Sequence, residues 1–554
     1  MENAISVAPS NHEEALRNSI LALYKKLLQV DDLDENSAFY QHGGTSLSAT
    51  LLLAELVSEH GVTLSFDEFD KNNTPATLST KLSSRKGGER APSFERRSSY
   101  GRTEFELSAP QRSRSWYLGG FRAERAGDDG MYNSGYATWL TGRVDWASLE
   151  RALNLVARQH DLLGASYAVQ ENDRLAQTFG AHVPIEVRIE AAPASIREAY
   201  AARPSDTDDL HVGDIDVVTA FIHAPFDWAK GETLRCRVYT LSETEYLFLL
   251  AGNHIAFDLM SRGIFLRDVV ATYDALIDGQ SRTARRPAQY RDYLEWERRY
   301  TESGAYAENL GYWIKYLSGS EQDVQLPAAA ARAKARSEGE RYHQDKAYVT
   351  LGGALTQRIK AAAKAHTVTP YVVLFTAFAV TLARLSRQQR LTIGTQIANR
   401  RQQEALEICG CFAQPVALVC DLRSAADAET AFRAVQKDLN AAIEHQPVSL
   451  PAIAEAMQRE GHERRHPLYP CSFEYFEAQP QPLSLYGVEA QEVLIPYHFG
   501  RTSHEVMFLL WERPHGMSGA LLYARELHTR EAMDAFANTY VAVLEELLKG
   551  EVRT

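Results

Sequence analysis

The sequence contains little cysteine and no excess of basic residues. Its 554 residues include five cysteines, an odd number without paired CxxC spacing, so we expect no disulfide framework and a reducing compartment such as the cytoplasm. Lysine and arginine total 59 against 72 aspartate and glutamate residues, which leaves a formal net charge of −13. Such a charge argues against a general nucleic-acid-binding protein, because those proteins need a basic surface to displace counterions from phosphates.

Signals for a membrane and for several common enzyme classes are also missing. Residues 1–14 have neither a basic segment nor an apolar core, so we predict no signal peptide. The longest apolar run, residues 371–385, is shorter than the roughly 18 residues of a membrane span and predicts a buried helix. The sequence has no GxSxG, Walker A or GxGxxG motif. A HExxH pattern at 462–466 is followed by proline and lacks an evident third ligand, so we predict no metal site.

Composition divides the chain into three parts. Residues 1–82 carry five basic and twelve acidic side chains, and leucines at helical spacing predict helices within residues 15–28 and 47–56. Residues 83–103 are rich in glycine, serine and basic residues without apolar periodicity, which is typical of a linker. The rest of the chain alternates strand and helix patterns. The expected fold is therefore a small four-helix bundle followed by two α/β lobes.

The sequence GGTSL at 43–47 precedes the second predicted helix. Glycines allow another protein's active site to approach the backbone, and Ser46 at a helix amino terminus would hold a phosphodiester where the helix dipole favours negative charge. The alternative is that Ser46 only caps the helix. An acidic run and a Phe-Tyr pair at 31–42 precede the glycines, and residues 12–83 thereby resemble a peptidyl or acyl carrier protein of the nonribosomal peptide synthetase type. The resemblance implies a carrier domain at 12–83, a flexible linker at 84–103, 4′-phosphopantetheine on Ser46, and a phosphopantetheinyl transferase as a partner.

The second motif is NHIAFDL at 253–259, directly after the predicted strand at 246–252. A histidine at a strand end, with an acid four residues on that opens a helix, suits a fixed imidazole in a cleft. A buried structural histidine and a helix-capping aspartate explain the same two residues. The isolated motif does not decide between these interpretations.

Further segments follow the order found in condensation domains of nonribosomal peptide synthetases, whose central motif is HHxxxDG. They are LSAPQRSRSWYL (107–118), RQHDLLGASY (158–167), PFDWAKGETLR (225–235), QYRDYLEW (289–296), IGTQIANR (393–400) and GCF (410–412). Residues 104–550 therefore resemble such a condensation domain. The resemblance implies an α/β fold of two chloramphenicol-acetyltransferase-like lobes in a V-shaped pseudo-dimer, with the amino-terminal lobe at 104–285 and the carboxy-terminal lobe at 286–554.

The central motif departs from the family pattern at both ends. Asn253 stands for the first histidine and Leu259 for the final glycine. His254 then matches the catalytic histidine, and Asp258 matches the structural aspartate. From the resemblance we assign His254, Asp258 and Asn253 to the catalytic site.

A third departure removes the expected partner of Asp258. In the family, the second arginine of the RHExLRTxF segment is the expected ion-pair partner of the motif's aspartate, and Gly164 replaces it here. Asp258 then needs another cation or a capping role, and Arg262 is a candidate by sequence proximity alone. Gln414 likewise stands where the family has an asparagine. These changes suggest an atypical acceptor or subclass.

The resemblance implies transfer of an acyl or peptidyl group from a phosphopantetheine thioester to an amine, with formation of an amide. The expected partners are an upstream synthetase or polyketide synthase module that loads the carrier, and an amine or alcohol acceptor, free or on another carrier protein. His254 would remove the amine proton, or would hold the amine and the developing oxyanion in place. The closing helix at 530–548 suggests a terminal or freestanding module. The alternatives are ester formation, a non-catalytic platform that recruits a tailoring enzyme, and a coenzyme A-dependent acetyltransferase.

Overall fold

The structure is a computed structural model with a small helical domain followed by a large α/β domain. It describes residues 11–84, 102–117, 133–170, 175–202, 215–280, 288–320, 323–327, 342–462, 468–477, 483–493, 495 and 501–553. Most of the predicted linker and most of the HExxH pattern lie outside the described residues. Among the described residues, no group of three or more histidine, cysteine or acidic side chains is placed to hold a metal ion.

Four helices form the amino-terminal domain, which confirms the predicted bundle. They are α1 (Asn11–Leu28), α2 (Ser46–His60), α3 (Phe66–Lys71) and α4 (Pro75–Ser83), with a short 3-10 helix at Tyr40–His42. A side-chain cap begins each of α2, α3 and α4, which satisfies amide groups that a helix start leaves unpaired. The core contains edge-to-face aromatic pairs of Phe39 with Tyr24, Tyr40 and Phe69.

The first lobe of the large domain is built on an antiparallel sheet with one parallel edge. Its elements are β1 (Glu104–Glu106), α5 (Ala109–Tyr117), β2 (Asn133–Thr141), α6 (Trp146–Ala157), β3 (Ser166–Val169), β4 (Leu175–Thr178), β5 (Val187–Ala191), α7 (Ala194–Ala202), α8 (Asp216–His223), β6 (Leu234–Thr240), β7 (Glu245–Asn253) and α9 (Leu259–Ile277). Strand β7 lies between β2 and β6, and β5 extends the sheet in parallel with β6. Strands β1, β4 and β3 form a separate small sheet. All nine residues of β7 except the first are buried, because sheet neighbours and helices α6 and α9 enclose it.

The second lobe is built on a seven-stranded mixed sheet. The elements of this half of the chain are α10 (Tyr290–Thr301), α11 (Gly304–Leu317), β8 (Tyr342–Gly352), α12 (Gly353–His366), α13 (Pro370–Ser386), β9 (Arg390–Ile397), β10 (Gln414–Asp421), α14 (Ala428–Glu444), α15 (Leu450–Arg459), β11 (Cys471–Phe476), β12 (Glu489–Val493), β13 (Arg501–Thr502), β14 (Val506–Arg513), β15 (Gly516–Ala524) and α16 (Arg530–Leu547). The sheet order is β10-β9-β11-β14-β15-β8-β13. The apolar run at 371–385 forms most of α13, whose side chains are buried from Val372 to Ala383, as predicted. Among the described residues, no single helix is long and apolar enough to cross a membrane.

One strand of the second half belongs to the sheet of the first lobe. Strand β12 pairs antiparallel with β2, from Glu489 opposite Thr141 to Val493 opposite Ala137. The predicted boundary between residues 285 and 286 therefore has an exception, because the chain crosses back after β11. This crossing ties the two lobes together at the edge of the first sheet.

The helical domain packs against the second lobe. Buried residues of both form one continuous apolar cluster. Polar contacts also cross this surface, and the backbone amide of Phe66 donates to the Glu444 carboxylate at 2.7 Å. The other hydrogen bonds are Asn440 Nδ2 to Asp70 Oδ2 (2.6 Å) and Gln403 Nε2 to Glu55 Oε2 (3.1 Å). Helices α2 and α3 therefore face the second lobe through α14 and the segment before β10.

Candidate active site and carrier serine

Ser46 is the first residue of α2 but is not its cap. Thr45 is the N-cap: its side chain accepts from the Ser48 amide at 3.1 Å, while its own amide donates to Ser48 Oγ at 2.8 Å. Among the described residues, no hydrogen bond engages the Ser46 hydroxyl, and Ser46 is half-buried. The capping interpretation of Ser46 is therefore wrong, because the preceding threonine performs that function.

The approach to Ser46 depends on a glycine. The Gly44 amide donates to the carbonyl of Phe39 at 3.0 Å, and a Cβ at position 44 would overlap the Phe39 ring. The ring is itself fully buried in the domain core. The turn thus places Ser46 at the start of α2, where the helix dipole stabilises an attached anion. These residues fit a phosphodiester on Ser46.

Asn253 and His254 lie where β7 ends, at the junction of the two lobes. The Asn253 amide donates to the Thr233 carbonyl at 2.8 Å, and its side-chain oxygen accepts from the Ile255 amide at 3.0 Å. Its Nδ2 lies 3.5 Å from Oδ1 of Asn133, the residue opposite it on β2. These contacts hold the turn that carries His254. A catalytic role for Asn253 itself stays a prediction.

The His254 imidazole is held in its neutral form. The residue is 7 % exposed, and burial lowers its pKa, with a further lowering by the positive charge of Arg114. The carboxylate of Asp258 acts in the opposite direction but does not reverse the effect. A neutral imidazole at pH 7 can accept a hydrogen bond or a proton from a substrate nucleophile.

Asp258 is paired with Arg400, a residue 142 positions further along the chain. Arg400 Nη2 donates to both carboxylate oxygens of Asp258, at 3.0 and 3.2 Å, and the two side chains are 0 % and 1 % exposed. Asp258 also caps α9 through Ser261, whose amide and hydroxyl donate to Oδ1 at 2.8 and 2.6 Å. The amides of Phe412 and Ala413 donate to Oδ2 at 3.0 and 3.3 Å. These donors and the guanidinium keep the pKa of Asp258 below its usual range despite burial.

Arg400 is the ion-pair partner of Asp258, which the sequence did not identify. It reaches the carbonyls of Ala405 and Ile408 as well, and its guanidinium lies over the Phe412 ring at 4.1 Å. Arg262, the candidate chosen by proximity, instead contacts Glu492 on β12 at 3.3 Å and lies over the Tyr136 ring. The candidate Arg262 is therefore wrong, because its guanidinium pairs with Glu492 while Arg400 reaches Asp258. The IGTQIANR motif contained the true partner, but nothing in its spacing pointed to Asp258.

Gly164 cannot carry a side chain in this structure. It ends a short 3-10 helix at Asp161–Gly164, and a Cβ there would overlap the carbonyl oxygen of Ala181. The backbone of Ala181 fills the space that a side chain at position 164 would need. The absence of an arginine at this position and the pairing of Asp258 with Arg400 are compatible features of one arrangement.

Gly164→Ala is expected to lower the free energy of unfolding by about 1–3 kcal/mol, because the backbone at Ala181 must move to admit a methyl group. Gly311→Ala is the matched control, since Gly311 lies in α11 and a Cβ there meets no other atom. That control is expected to stabilise by about 0.5–1 kcal/mol. Chemical denaturation of both variants tests the sign, and equal stability of the two would contradict the expectation.

Helix α5 connects the His254 turn to the second lobe. Gln111 Nε2 donates to the carbonyl of Ile255 at 2.9 Å. Ser113 Oγ accepts from Gln414 Nε2 and from the Leu450 amide, each at 3.1 Å. Gln414, which stands where the resemblance predicts an asparagine, thus makes a hydrogen bond between the lobes through Ser113. The segment 107–118 contains this helix, but no residue pattern in it indicates a bridge between the lobes.

Comparison with known proteins agrees with this architecture. Residues 102–551 match the family described as "Condensation domain", and residues 18–82 match "Phosphopantetheine attachment site". Tyrocidine synthase 3 from Brevibacillus parabrevis is 24 % identical over 549 residues, which cover 98 % of this chain and 8 % of the relative. Malpinin synthetase from Mortierella alpina is 24 % identical over 530 residues, or 96 % of this chain and 6 % of the relative. The chain thus spans less than a tenth of the length of these two relatives.

Solved structures share the fold of the large domain. The X-domain from teicoplanin biosynthesis has a TM-score of 0.67 at 24 % identity, over 83 % of this chain and 98 % of that one. The condensation domain from the Monacolin K polyketide synthase MokA has a TM-score of 0.65 at 20 % identity, over 81 % of this chain and 98 % of that one. The predicted order of a carrier and a two-lobed α/β domain is confirmed. The chain belongs to the condensation-domain family and carries a phosphopantetheine-attachment domain ahead of its condensation domain.

Proposed function

We propose that this chain is a carrier and condensation unit that transfers an acyl or peptidyl group from a phosphopantetheine thioester to an amine, with formation of an amide. The observation that supports it is a neutral, buried His254 on a segment that Gln111 of the first lobe holds at Ile255 and Arg400 of the second lobe holds at Asp258. The proposed site consists of His254 with Asp258 and Asn253, and Ser46 is the proposed attachment residue. The proposed partners are a phosphopantetheinyl transferase, a loading module and an amine acceptor, in the cytoplasm.

The carrier residues suit the attached group in chemical terms. When bound, phosphopantetheine supplies a flexible thiol tether on which an acyl group is carried as a thioester. Ser46 offers a hydroxyl that no capping contact occupies, and Thr45 keeps the helix start intact without it. The start of α2 stabilises the negative charge of a phosphodiester at that position.

His254 acts on the nucleophile in this proposal. A thioester is already activated, so the site gains most from orientation and from stabilising charge as it develops. The lone pair of the neutral imidazole accepts a hydrogen bond from the attacking amine and guides its proton away as the new bond forms. Asp258 and Arg400 neutralise each other and hold the turn, so they orient the imidazole without exchanging a proton with it.

His254→Ala in the loaded full-length chain tests the role of the imidazole. A general base contributes about 10²–10⁴-fold, whereas a loss near tenfold indicates positioning of the amine. Single-turnover transfer to small amines, followed by intact mass, measures the loss. His462→Ala is a matched control outside the site, since His462 lies near Glu460 and Ser318. A wild-type rate in His254→Ala would contradict the assignment.

A non-catalytic platform that recruits a tailoring enzyme is the second candidate. Asn253 in the place of a histidine, Leu259 and Gly164 favour it. The X-domain from teicoplanin biosynthesis, which shares this fold, has also been solved in a complex with OxyB. Turnover that depends on His254 would exclude the platform. Tight binding of a tailoring enzyme to the loaded chain, without transfer to any amine or alcohol, would support it.

A further inference from the structure

The turn that carries His254 is anchored on both sides of the imidazole. On one side, the carbonyl of Ile255 accepts from Gln111 Nε2 at 2.9 Å. On the other side, the Asp258 carboxylate pairs with Arg400 Nη2 at 3.0 Å. The placement of the imidazole therefore depends on what holds these two anchors.

The first anchor is fixed at the start of α5. Gln111 Oε1 accepts from the Ser108 amide at 2.9 Å, and the Gln111 amide donates to Ser108 Oγ at 3.2 Å, which forms a capping box. The amide of Ala109, the first residue of the helix, donates to both carboxylate oxygens of Glu297 on α10, at 3.0 and 2.9 Å. Glu297 therefore holds the first turn of α5, from which Gln111 reaches Ile255.

The same carboxylate connects to the second anchor. The Tyr293 hydroxyl donates to Glu297 Oε1 at 2.9 Å and accepts from Asn399 Nδ2 at 3.3 Å. Asn399 directly precedes Arg400, and its φ of +50° lies in the left-handed region, which is uncommon for a residue with a side chain. The hydrogen bond from Tyr293 thus holds a strained residue next to the partner of Asp258.

Glu297 is buried where these two branches meet. Its nearest cation is Arg112 on α5, whose Nη2 lies 3.8 Å from Glu297 Oε2. Burial raises the pKa of Glu297, while the charge of Arg112, the Ala109 amide and the Tyr293 hydroxyl lower it. Loss of the carboxyl group would take this acceptor from two buried donors at once, which is costly inside a protein.

We infer that Glu297 is a positioning residue for the proposed reaction, which fixes the His254 imidazole from both sides of its turn. One branch runs through α5 and Gln111, and the other runs through Tyr293 and Asn399. This inference rests on the proposed function. Glu297 exchanges no proton with the imidazole and acts only through these neighbours.

The ionisation of His254 tests the positioning without any substrate. Burial holds the pKa of His254 well below its usual value, so its ring signals in the ¹³C-histidine-labelled full-length chain are expected to stay constant from about pH 8 to about pH 5. Glu297→Met is expected to loosen α5 and admit water, so the pKa rises toward the usual value of about 6.5 and the signals shift in this range. The charges of Arg114 and Asp258 that act on the imidazole remain in this variant. His254→Ala identifies the signals.

Transfer from the loaded carrier to an amine gives the second measurement. Glu297→Met is expected to lower the rate at saturating amine about 10- to 10²-fold with an unchanged KM, because a misplaced imidazole loses orientation and Glu297 contacts no substrate. Glu297→Gln keeps one oxygen but places an NH₂ group 2.9 or 3.0 Å from the Ala109 amide, so intermediate effects are expected in both measurements. Gln111→Met breaks one branch alone. Its loss is expected to be less than additive with that of Glu297→Met, since both act through the same turn.

Glu150→Met is the matched control. Glu150 on α6 accepts from the Val187 amide at 2.8 Å, so it also joins two elements through a carboxylate and a backbone amide. Its variant is expected to keep the titration of His254 and the transfer rate of the wild type. Circular dichroism of each variant verifies folding.

The outcomes separate the inference from the function on which it rests. Wild-type titration and transfer in a folded Glu297→Met would overturn the inference, as would additive losses with Gln111→Met or equal changes in Glu150→Met. If Glu297→Met does not fold, Glu297→Gln decides, and its equality with the wild type would overturn the inference. A shifted titration of His254 in Glu297→Met, in a chain whose wild type transfers to no acceptor, would support the positioning and count against the proposed condensation.

Discussion

Arg400→Met is expected to lower the free energy of unfolding of the condensation domain by about 3–5 kcal/mol. This is the size of effect seen when one partner of a buried ion pair is removed and the other charge remains buried. Asp258 is 1 % exposed and would keep its negative charge in the low-dielectric junction. The hydrogen bonds from Ser261, Phe412 and Ala413 remain, so a folded but weakened domain is expected.

Denaturation of Arg400→Met is best compared with Arg423→Met. Arg423 pairs with Asp421 at 2.5 Å, but both side chains are substantially exposed, so its loss is expected to change stability by less than about 1 kcal/mol. A double-mutant cycle with Asp258→Asn isolates the coupling between the two buried charges. Equal effects of Arg400→Met and Arg423→Met would contradict the ion pair as a stabilising feature.

The same pair predicts a pH dependence. The pKa of Asp258 is lower in the folded chain than in the unfolded chain. Its contribution to stability is therefore present above the unfolded pKa of about 3.9 and is lost as the pH falls through the folded value. The stability difference between wild type and Arg400→Met should accordingly shrink in strong acid. A difference that stays constant down to the acid transition would contradict this linkage.

Ser46→Ala is expected to abolish attachment of phosphopantetheine and all transfer that depends on it. The substitution removes the hydroxyl but leaves the Thr45 and Ser48 capping box, so α2 should form as before. Intact mass after incubation with coenzyme A and a phosphopantetheinyl transferase measures the attachment. The expected result is full modification of the wild type and none of the variant.

Ser48→Ala provides the matched control for that experiment. Ser48 lies one half-turn further along α2 and takes part in the cap, so its loss is expected to cost about 0.5–2 kcal/mol of stability. Attachment should nevertheless proceed in Ser48→Ala. Modification of Ser46→Ala, or its loss in a folded Ser48→Ala, would assign the attachment to a different residue.

Short-range sequence patterns predicted the helical bundle, the buried helix α13 and the elements on either side of His254. The leucine spacing and the GGTSL turn predicted the helical bundle, and the apolar run at 371–385 predicted the buried helix α13. The motif at 253–259 predicted that the histidine follows a strand and that Asp258 opens a helix, as it does for α9. These features depend on residues within a few positions of one another, which is the range over which helix periodicity and capping operate.

The sequence by itself determined the order of the two domains, the family, and the helix and strand that flank the His254 turn, because each is written in a contiguous pattern. Only the tertiary structure decided that Arg400 neutralises Asp258 and that Gln111 holds the turn of His254. Those contacts join the start of α9 to the segment after β9, and α5 to the turn after β7, across more than a hundred residues. Distance and burial in the folded state select which charges pair inside a protein. Sequence proximity to Asp258 pointed to Arg262, but Arg262 pairs with Glu492 instead.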